Sequence, residues 1–271
     1  ADFVLFLEFN ILMRGRKYGY LTSFFKPDSP LLTTIPRLSI GLHYYIKIVV
    51  YIGHAIFAAN RLSSAFKPLE YNNMWSWRRL AMIVLVQWTI PLIAILPICL
   101  NMNFDFRYVI YSAQNTLRLE TDSISTDVIA YMDMAFSALC TIFSLVMYSI
   151  TISIIRKSSK TMSLTSHSKR AQSLELRLLI SAFIVFLILT LNTVIQVMTV
   201  VTNKIGMEHV MFVNDLSYPM IDLIYTCQPW ALLISSSVIR KGMLEVAGMP
   251  NEERQRRVSF VPSTAHTTRE F

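Results

Sequence analysis

Five stretches of this chain are too long and too uniformly apolar to fit inside a water-soluble core. They are about Leu38–Ala59, Leu80–Leu100, Val128–Ile155, Leu178–Val201 and Leu216–Ile239, and none holds more than one Asp, Glu, Lys or Arg. Each exceeds the roughly 18 residues at which a helix rising about 1.5 Å per residue can cross about 30 Å of hydrocarbon. The runs are continuous and do not alternate, so they read as helices and not as strands of a β-barrel. Charged residues make up 15% of the chain and the mean hydropathy is +0.46, against about 25% charged in a soluble domain. A soluble enzyme, a disordered chain and a disulfide-stapled secreted module are excluded. With 7 Gly the chain is also a poor match to a transporter built on glycine-broken helices.

The expected fold is therefore all-α, a multi-span membrane helix bundle over 1–241 followed by a cytoplasmic tail, 242–271. A sixth apolar run, Phe3–Met13, is too short to cross alone. It reads as the end of a helix that begins before Ala1. Restoring that helix and one more gives a seven-span receptor type lacking its first helix and the start of its second.

Orientation follows from where the cations lie, because Lys and Arg stay preferentially on the cytoplasmic side. The segments 60–79, 156–177 and 240–271 hold sixteen Lys and Arg, whereas 14–37, 101–127 and 202–215 hold eight. The tail is placed in the cytoplasm. The basic cluster Arg14, Arg16 and Lys17 runs against this count. The net charge of +8 sits between apolar runs and reads as topology signal and attraction to anionic lipid, with no nucleic-acid partner.

Ionisable groups inside the spans are the leads to function, since each costs about 2.5–3.5 kcal/mol to insert. His43, Lys47, His54 and Arg61 fall within about 40° of one another on a helical wheel at 100° per residue. That stripe belongs in the bundle interior. One reading has Lys47 snorkelling outward and both histidines bonding local backbone. The sharper one pairs Lys47 with Asp222, at matched depth in its own span, with Asp133 as the second candidate, so that these residues line a ligand cavity open to the outside. Asn192 and Gln196, one turn apart, read as interhelical hydrogen-bond glue or as pocket groups. Pro91, Pro97, Pro219 and Pro229 mark expected kinks. Arg256-Arg257-Val258-Ser259 suits a basophilic kinase, which makes Ser259 a candidate phosphorylation site. Cys99, Cys140 and Cys227 all lie in apolar runs and read as small buried hydrophobes. The five histidines include no metal-binding helical pair, and no nucleophile, zinc or dinucleotide motif is present. No catalytic activity, metal or cofactor is expected.

The run Asn60-Arg61-Leu62-Ser63-Ser64-Ala65-Phe66-Lys67-Pro68, followed by Tyr71 and Trp75, resembles the nematode serpentine chemoreceptors, class gamma and its sibling class V. Trp88 and Pro91, Glu175-Leu176-Arg177-Leu178-Leu179 and Gln228-Pro229-Trp230-Ala231-Leu232-Leu233-Ile234-Ser235 add to the resemblance, which covers about Leu38 to Lys241. It implies a seven-helix G-protein-coupled receptor of sensory-cell plasma membrane. Such a receptor binds a small-molecule ligand outside and a heterotrimeric G protein inside, with Asn60 and Arg61 at the coupling face. Asn60 stands where rhodopsin-like receptors carry an acid, and no cysteine lies at 36–46 or 101–127 to form their outer disulfide. The rival class is a transporter or channel using Lys47, Asp133 and Asp222 as a relay. Against it, spans 80–100 and 178–191 are almost wholly apolar where a conduction path needs polar groups.

Overall fold

The computed structural model of the chain describes residues 1–25, 29–67, 69–101, 103–111, 116–161, 166–205 and 207–235, with 242, 243 and 246. Ser259, most of the 242–271 tail and the side chains of the serine-rich stretch 158–173 lie outside the described residues. The chain opens with α1 (Asp2–Glu8), which continues through a π-helical stretch, Phe9–Arg14, into a last turn, Gly15–Lys17. Then come α2 (Leu31–Phe66), α3 (Trp77–Leu100), strands β1 (Phe106–Tyr111) and β2 (Thr116–Thr121), and the helices α4 (Ser123–Thr161), α5 (Ser166–Ile205) and α6 (Met207–Ser235).

Among the described residues four segments are long and apolar enough to span a bilayer: Leu31–Phe66, Trp77–Leu100, Ser123–Lys157 and Phe183–Thr202. They coincide with four of the five expected spans, and α6 covers the fifth from 216 to 235. Burial separates their roles. In α2 56% of the apolar window is buried, against 11% in α3. Thus α2 is the axis of the bundle, while α3 turns Leu85, Ile93 and Leu96 outward. A peripheral helix so apolar on its open face suits hydrocarbon and not water.

α2 is seven residues longer at each end than its expected span of 38–59. At its start, Thr33 and Thr34 hydroxyls return hydrogen bonds to the Pro30 carbonyl, and Pro36 lies early enough to cost a single ladder bond. At its end, Ser63 and Ser64 hydroxyls bond the carbonyls of Asn60 and Arg61. Lys67 then leaves the helical region at φ −136°, as expected for a residue before a proline. Polar residues hid both ends from a count of apolar ones.

The main core gathers the first segment, α4, α5 and α6 around α2. Leu5, Phe9 and Met13 from the first segment meet Ile46, Val50 and Tyr51 of α2, Cys140 of α4, Leu189 of α5 and Ile221, Ile224 and Tyr225 of α6. The short first run thus packs one face against the bundle, while Phe3 and Ile11 stay exposed. Close approach of α3 to α2 requires Gly41. A Cβ there would fall onto the Cys99 sulfur and within 3.7 Å of Ile95.

One expectation needs correction. Segment 101–127, read as a loop, contains an antiparallel hairpin whose register runs from Phe106 opposite Thr121 to Tyr111 opposite Thr116. Phe106, Tyr108 and Leu117 are buried while Arg107 and Arg118 are exposed, the alternation of a half-covered sheet. Its inner face caps one end of the bundle through Phe106 against Ile40, Ile98 and Ile129, and through Tyr108 and Leu117 against Phe25. Asp122 ties the hairpin to α4. Its carboxylate accepts hydrogen bonds from the Asp105 and Ser125 amides and from the Ser125 hydroxyl, which holds its carboxyl below the usual range, the Ser125 hydroxyl foremost.

Candidate functional site

The basic stripe of α2 does point inward: His43, Lys47 and His54 are each buried. Their partners come from other helices, and the principal one differs from the sequence expectation. Lys47 Nζ lies 2.5 Å from Asp133 Oδ2 of α4, and the two side chains are 3% and 1% exposed. The Gln196 amide on α5, oriented by its neighbours, donates to Asp133 Oδ2 at 2.9 Å and accepts from Lys47 Nζ at 3.1 Å. A cation, an anion and an amide from three helices thus form one closed unit. Such pairing is the usual condition for burying charge at all. The ring of Tyr44 lies 5.4 Å from Lys47 Nζ and that of Tyr51 5.9 Å, so aromatic faces complete the enclosure.

Asp222 is not the partner of Lys47. It pairs with Arg14 and also accepts from the Tyr225 hydroxyl. Depth along a helix is one coordinate of three, and the matched depths of Lys47 and Asp222 carried no information on azimuth. Arg14 itself was read as a loop cation. It reaches α6 because the π-helical stretch, wider per turn than an α-helix, carries the chain from Glu8, which faces α2, to Arg14, which faces α6. A second cation of that cluster, Lys17, lies 2.6 Å from Asp215 and over the Tyr218 ring. Its ammonium is held above the ordinary lysine range, chiefly by the Asp215 hydrogen bond. Arg16 lies over the ring of Tyr108. The basic cluster that ran against the topology count is thus engaged in local contacts at the hairpin end.

Sequence reasoning also missed Glu8. Its carboxylate Oε2 is hydrogen-bonded to His43 Nδ1 at 2.8 Å, with the side chains 1% and 7% exposed. Tyr44 stands beside both units, its ring 5.2 Å from that of His43. A lone Glu in the apolar run Phe3–Met13 was the available signal, by the same insertion cost that singled out Lys47. His54, seven residues further along α2 and so about 10 Å deeper, is buried with Nδ1 unbonded and forms no hydrogen bond to this cluster among the described residues. Asn192 donates to the Tyr51 hydroxyl at 2.8 Å and to Ser137 at 3.3 Å, which makes it interhelical glue, whereas Gln196 belongs to the charged unit.

At the opposite end, the residues of the Asn60–Trp75 motif fold onto one another. The Tyr71 hydroxyl donates to Asn60 Oδ1 at 2.8 Å, and Trp75 Nε1 donates to Ser63 Oγ at 2.7 Å. The loop after α2 is therefore stapled back to the helix end. The Arg61 guanidinium stacks on Phe57 at 4.6 Å, and its buried Nε has no hydrogen-bond partner. Asn60 holds the loop and forms no hydrogen bond to the Arg61 side chain among the described residues.

Cys99, Cys140 and Cys227 are free thiols, and among the described residues no group of His, Cys, Asp and Glu is placed to hold a metal. A search of curated proteins finds no match to this chain. The order of motifs along α2, the apolar spans around it and the helical bundle are those of a serpentine receptor. Residues 1–249 match the family described as Serpentine type 7TM GPCR chemoreceptor Srv, and the chain belongs to it.

Proposed function

We propose that the protein binds a small molecule entering from outside the cell at the hairpin end of the bundle and activates a heterotrimeric G protein at the Arg61 end. The observation that carries this reading is the Lys47–Asp133–Gln196 unit, which ties α2, α4 and α5 together through three side chains. A ligand that engages any of the three changes how those helices pack. Because α2 continues unbroken from Lys47 to Arg61, about 21 Å at helical rise, a shift at the upper end is delivered to the loop held by Asn60 and Ser63. The ligand acts by population shift, binding better to the arrangement with its inner face open.

The same reading places the protein in the plasma membrane of sensory cells with the tail inside, and makes Ser259 a regulatory phosphorylation site. The transporter alternative is less supported by the geometry. Asp222 is engaged by Arg14 and Tyr225 and does not join Lys47 and Asp133 in one relay. The test is the second-messenger response of cells expressing the full-length receptor to a panel of small soluble molecules, compared with Arg61→Ala at matched surface expression. Loss of the response in Arg61→Ala is expected. A response undiminished by that change refutes the coupling role.

A further inference from the structure

The sequence stripe of His43, Lys47 and His54 suggests a cationic site built for an anion, but the structure reverses the sign. Lys47 is already matched by Asp133 and Gln196, and His43 by Glu8. What is left over is acceptor. Each of the two carboxylates uses one oxygen: Glu8 Oε1 and Asp133 Oδ1 are buried and have no hydrogen-bond partner, although each side chain is only 1% exposed. The Tyr51 hydroxyl accepts from Asn192 and is itself a hydrogen-bond neighbour of the Asp133 carboxylate, yet Oδ1 stays without a partner among the described residues. Leaving a buried charged acceptor unsatisfied forfeits its hydration without replacing it. Two such atoms, on carboxylates bonded to adjacent turns of α2, form one acidic locus, since His43 and Lys47 are one helical turn apart.

We propose that this locus is the ligand-recognition site and that it takes a small protonated amine. The inference rests on the receptor reading above and adds the chemical class of the ligand. An ammonium supplies N–H donors for both Glu8 Oε1 and Asp133 Oδ1. The rings of Phe9, Tyr44 and Tyr51 supply faces that favour a cation. Charge-assisted hydrogen bonds are about twice as strong as neutral ones. The apolar layer that Phe106 of the hairpin forms with Ile40 and Ile129 lowers the local dielectric, which strengthens them further. A carboxylate ligand has no donor to offer either oxygen. A neutral alcohol satisfies one oxygen without balancing charge.

The amine binds by displacing neither ion pair: it adds donors to oxygens that the pairs leave open. In doing so it links α1, which carries Glu8, to α4, which carries Asp133, across α2. A contact present only in the liganded arrangement is what a population shift requires.

Three four-carbon probes of matched size test the class directly: butylammonium chloride, sodium butyrate and butanol, at equal ionic strength, added to the purified full chain in lipid nanodiscs. The melting temperature is read for each, because a ligand that binds only the folded state raises it. Butylammonium is expected to stabilise the protein, with butyrate and butanol without effect. Glu8→Gln and Asp133→Asn are each expected to raise the half-effective butylammonium concentration about tenfold or more, the loss of one charged hydrogen bond. Stabilisation by butyrate, equal stabilisation by butanol and butylammonium, or no shift with any probe overturns the amine assignment. None of those results touches G-protein coupling, which the Arg61→Ala comparison decides separately. Should either variant fail to fold, the three-probe comparison on the unmodified chain still decides the ligand class.

Discussion

Lys47→Met separates the observed pairing from its competitor with a predictable magnitude. Removing the ammonium leaves Asp133, 1% exposed, with the Gln196 amide and the Tyr51 hydroxyl as its remaining polar partners. Breaking a buried ion pair from one side costs about 3–5 kcal/mol, and the surviving Gln196 contact puts the cost near the lower end, about 3 kcal/mol. At about 2–4 °C per kcal/mol for a chain of this size, the melting temperature falls by about 6–12 °C. Lys47→Met combined with Asp133→Leu removes both charges. It gains back the desolvation penalty and leaves only the Gln196 amide unpaired, at about 1–3 kcal/mol, so the double variant is more stable than the sum of its parts by several kcal/mol. Lys47→Met combined with Asp222→Asn is additive within about 0.5 kcal/mol, as for sites sharing no partner. Thermal unfolding in detergent, followed by a thiol-reactive fluorophore reaching the buried Cys140, measures all four. Melting of Lys47→Met within about 1 °C of the parent, or coupling to Asp222 in place of Asp133, refutes the reasoning.

Other perturbations read other parts of the fold by the same unfolding assay. Arg14→Ala breaks a pair whose side chains are 28% and 33% exposed, so it costs about 1 kcal/mol or less and ranks well below Lys47→Met. Gly41→Val drives a side chain onto Cys99 and costs about 1–3 kcal/mol, with partial recovery when Cys99→Ala opens the space; no recovery means the helices do not meet there. Asp122→Ala removes the cap of α4 and costs about 1 kcal/mol. Because the Asp122 carboxyl is lowered in the folded chain, its contribution is full above the unfolded carboxylate value, about pH 4. It is lost as pH falls through the depressed folded value, so parent and Asp122→Ala converge in acid.

The sequence conveyed the membrane class and the interior face of α2 because each rests on one periodicity read along one helix. The stripe of His43, Lys47 and His54 needed only the 3.6-residue repeat. Partner choice needs three dimensions. Asp222 and Asp133 were both acids in apolar spans, and only the rotation of α4 and α6 about α2 decides between them. Arg14 and Glu8 were lost for a related reason: the π-helical Phe9–Arg14 stretch alters which residues share a face, and no residue type marks it. The hairpin was legible in its residues. Phe106-Arg107-Tyr108-Val109-Ile110-Tyr111 and Thr116-Leu117-Arg118-Leu119 show the alternation and residue types of strands, overlooked beside the stronger helical signal on either side.

The receptor reading requires the hairpin end outside the cell and the Asn60–Trp75 end inside. Asn103 in the segment before the hairpin and Asn72 in the loop after α2 are both exposed, so each accepts a single cysteine in a chain whose three native cysteines are replaced by alanine. A membrane-impermeant thiol reagent applied to intact cells is predicted to label Asn103→Cys and to reach Asn72→Cys only after permeabilisation. Labelling of Asn72→Cys in intact cells, with Asn103→Cys protected, contradicts the orientation and with it the ligand and G-protein sites assigned to the two ends.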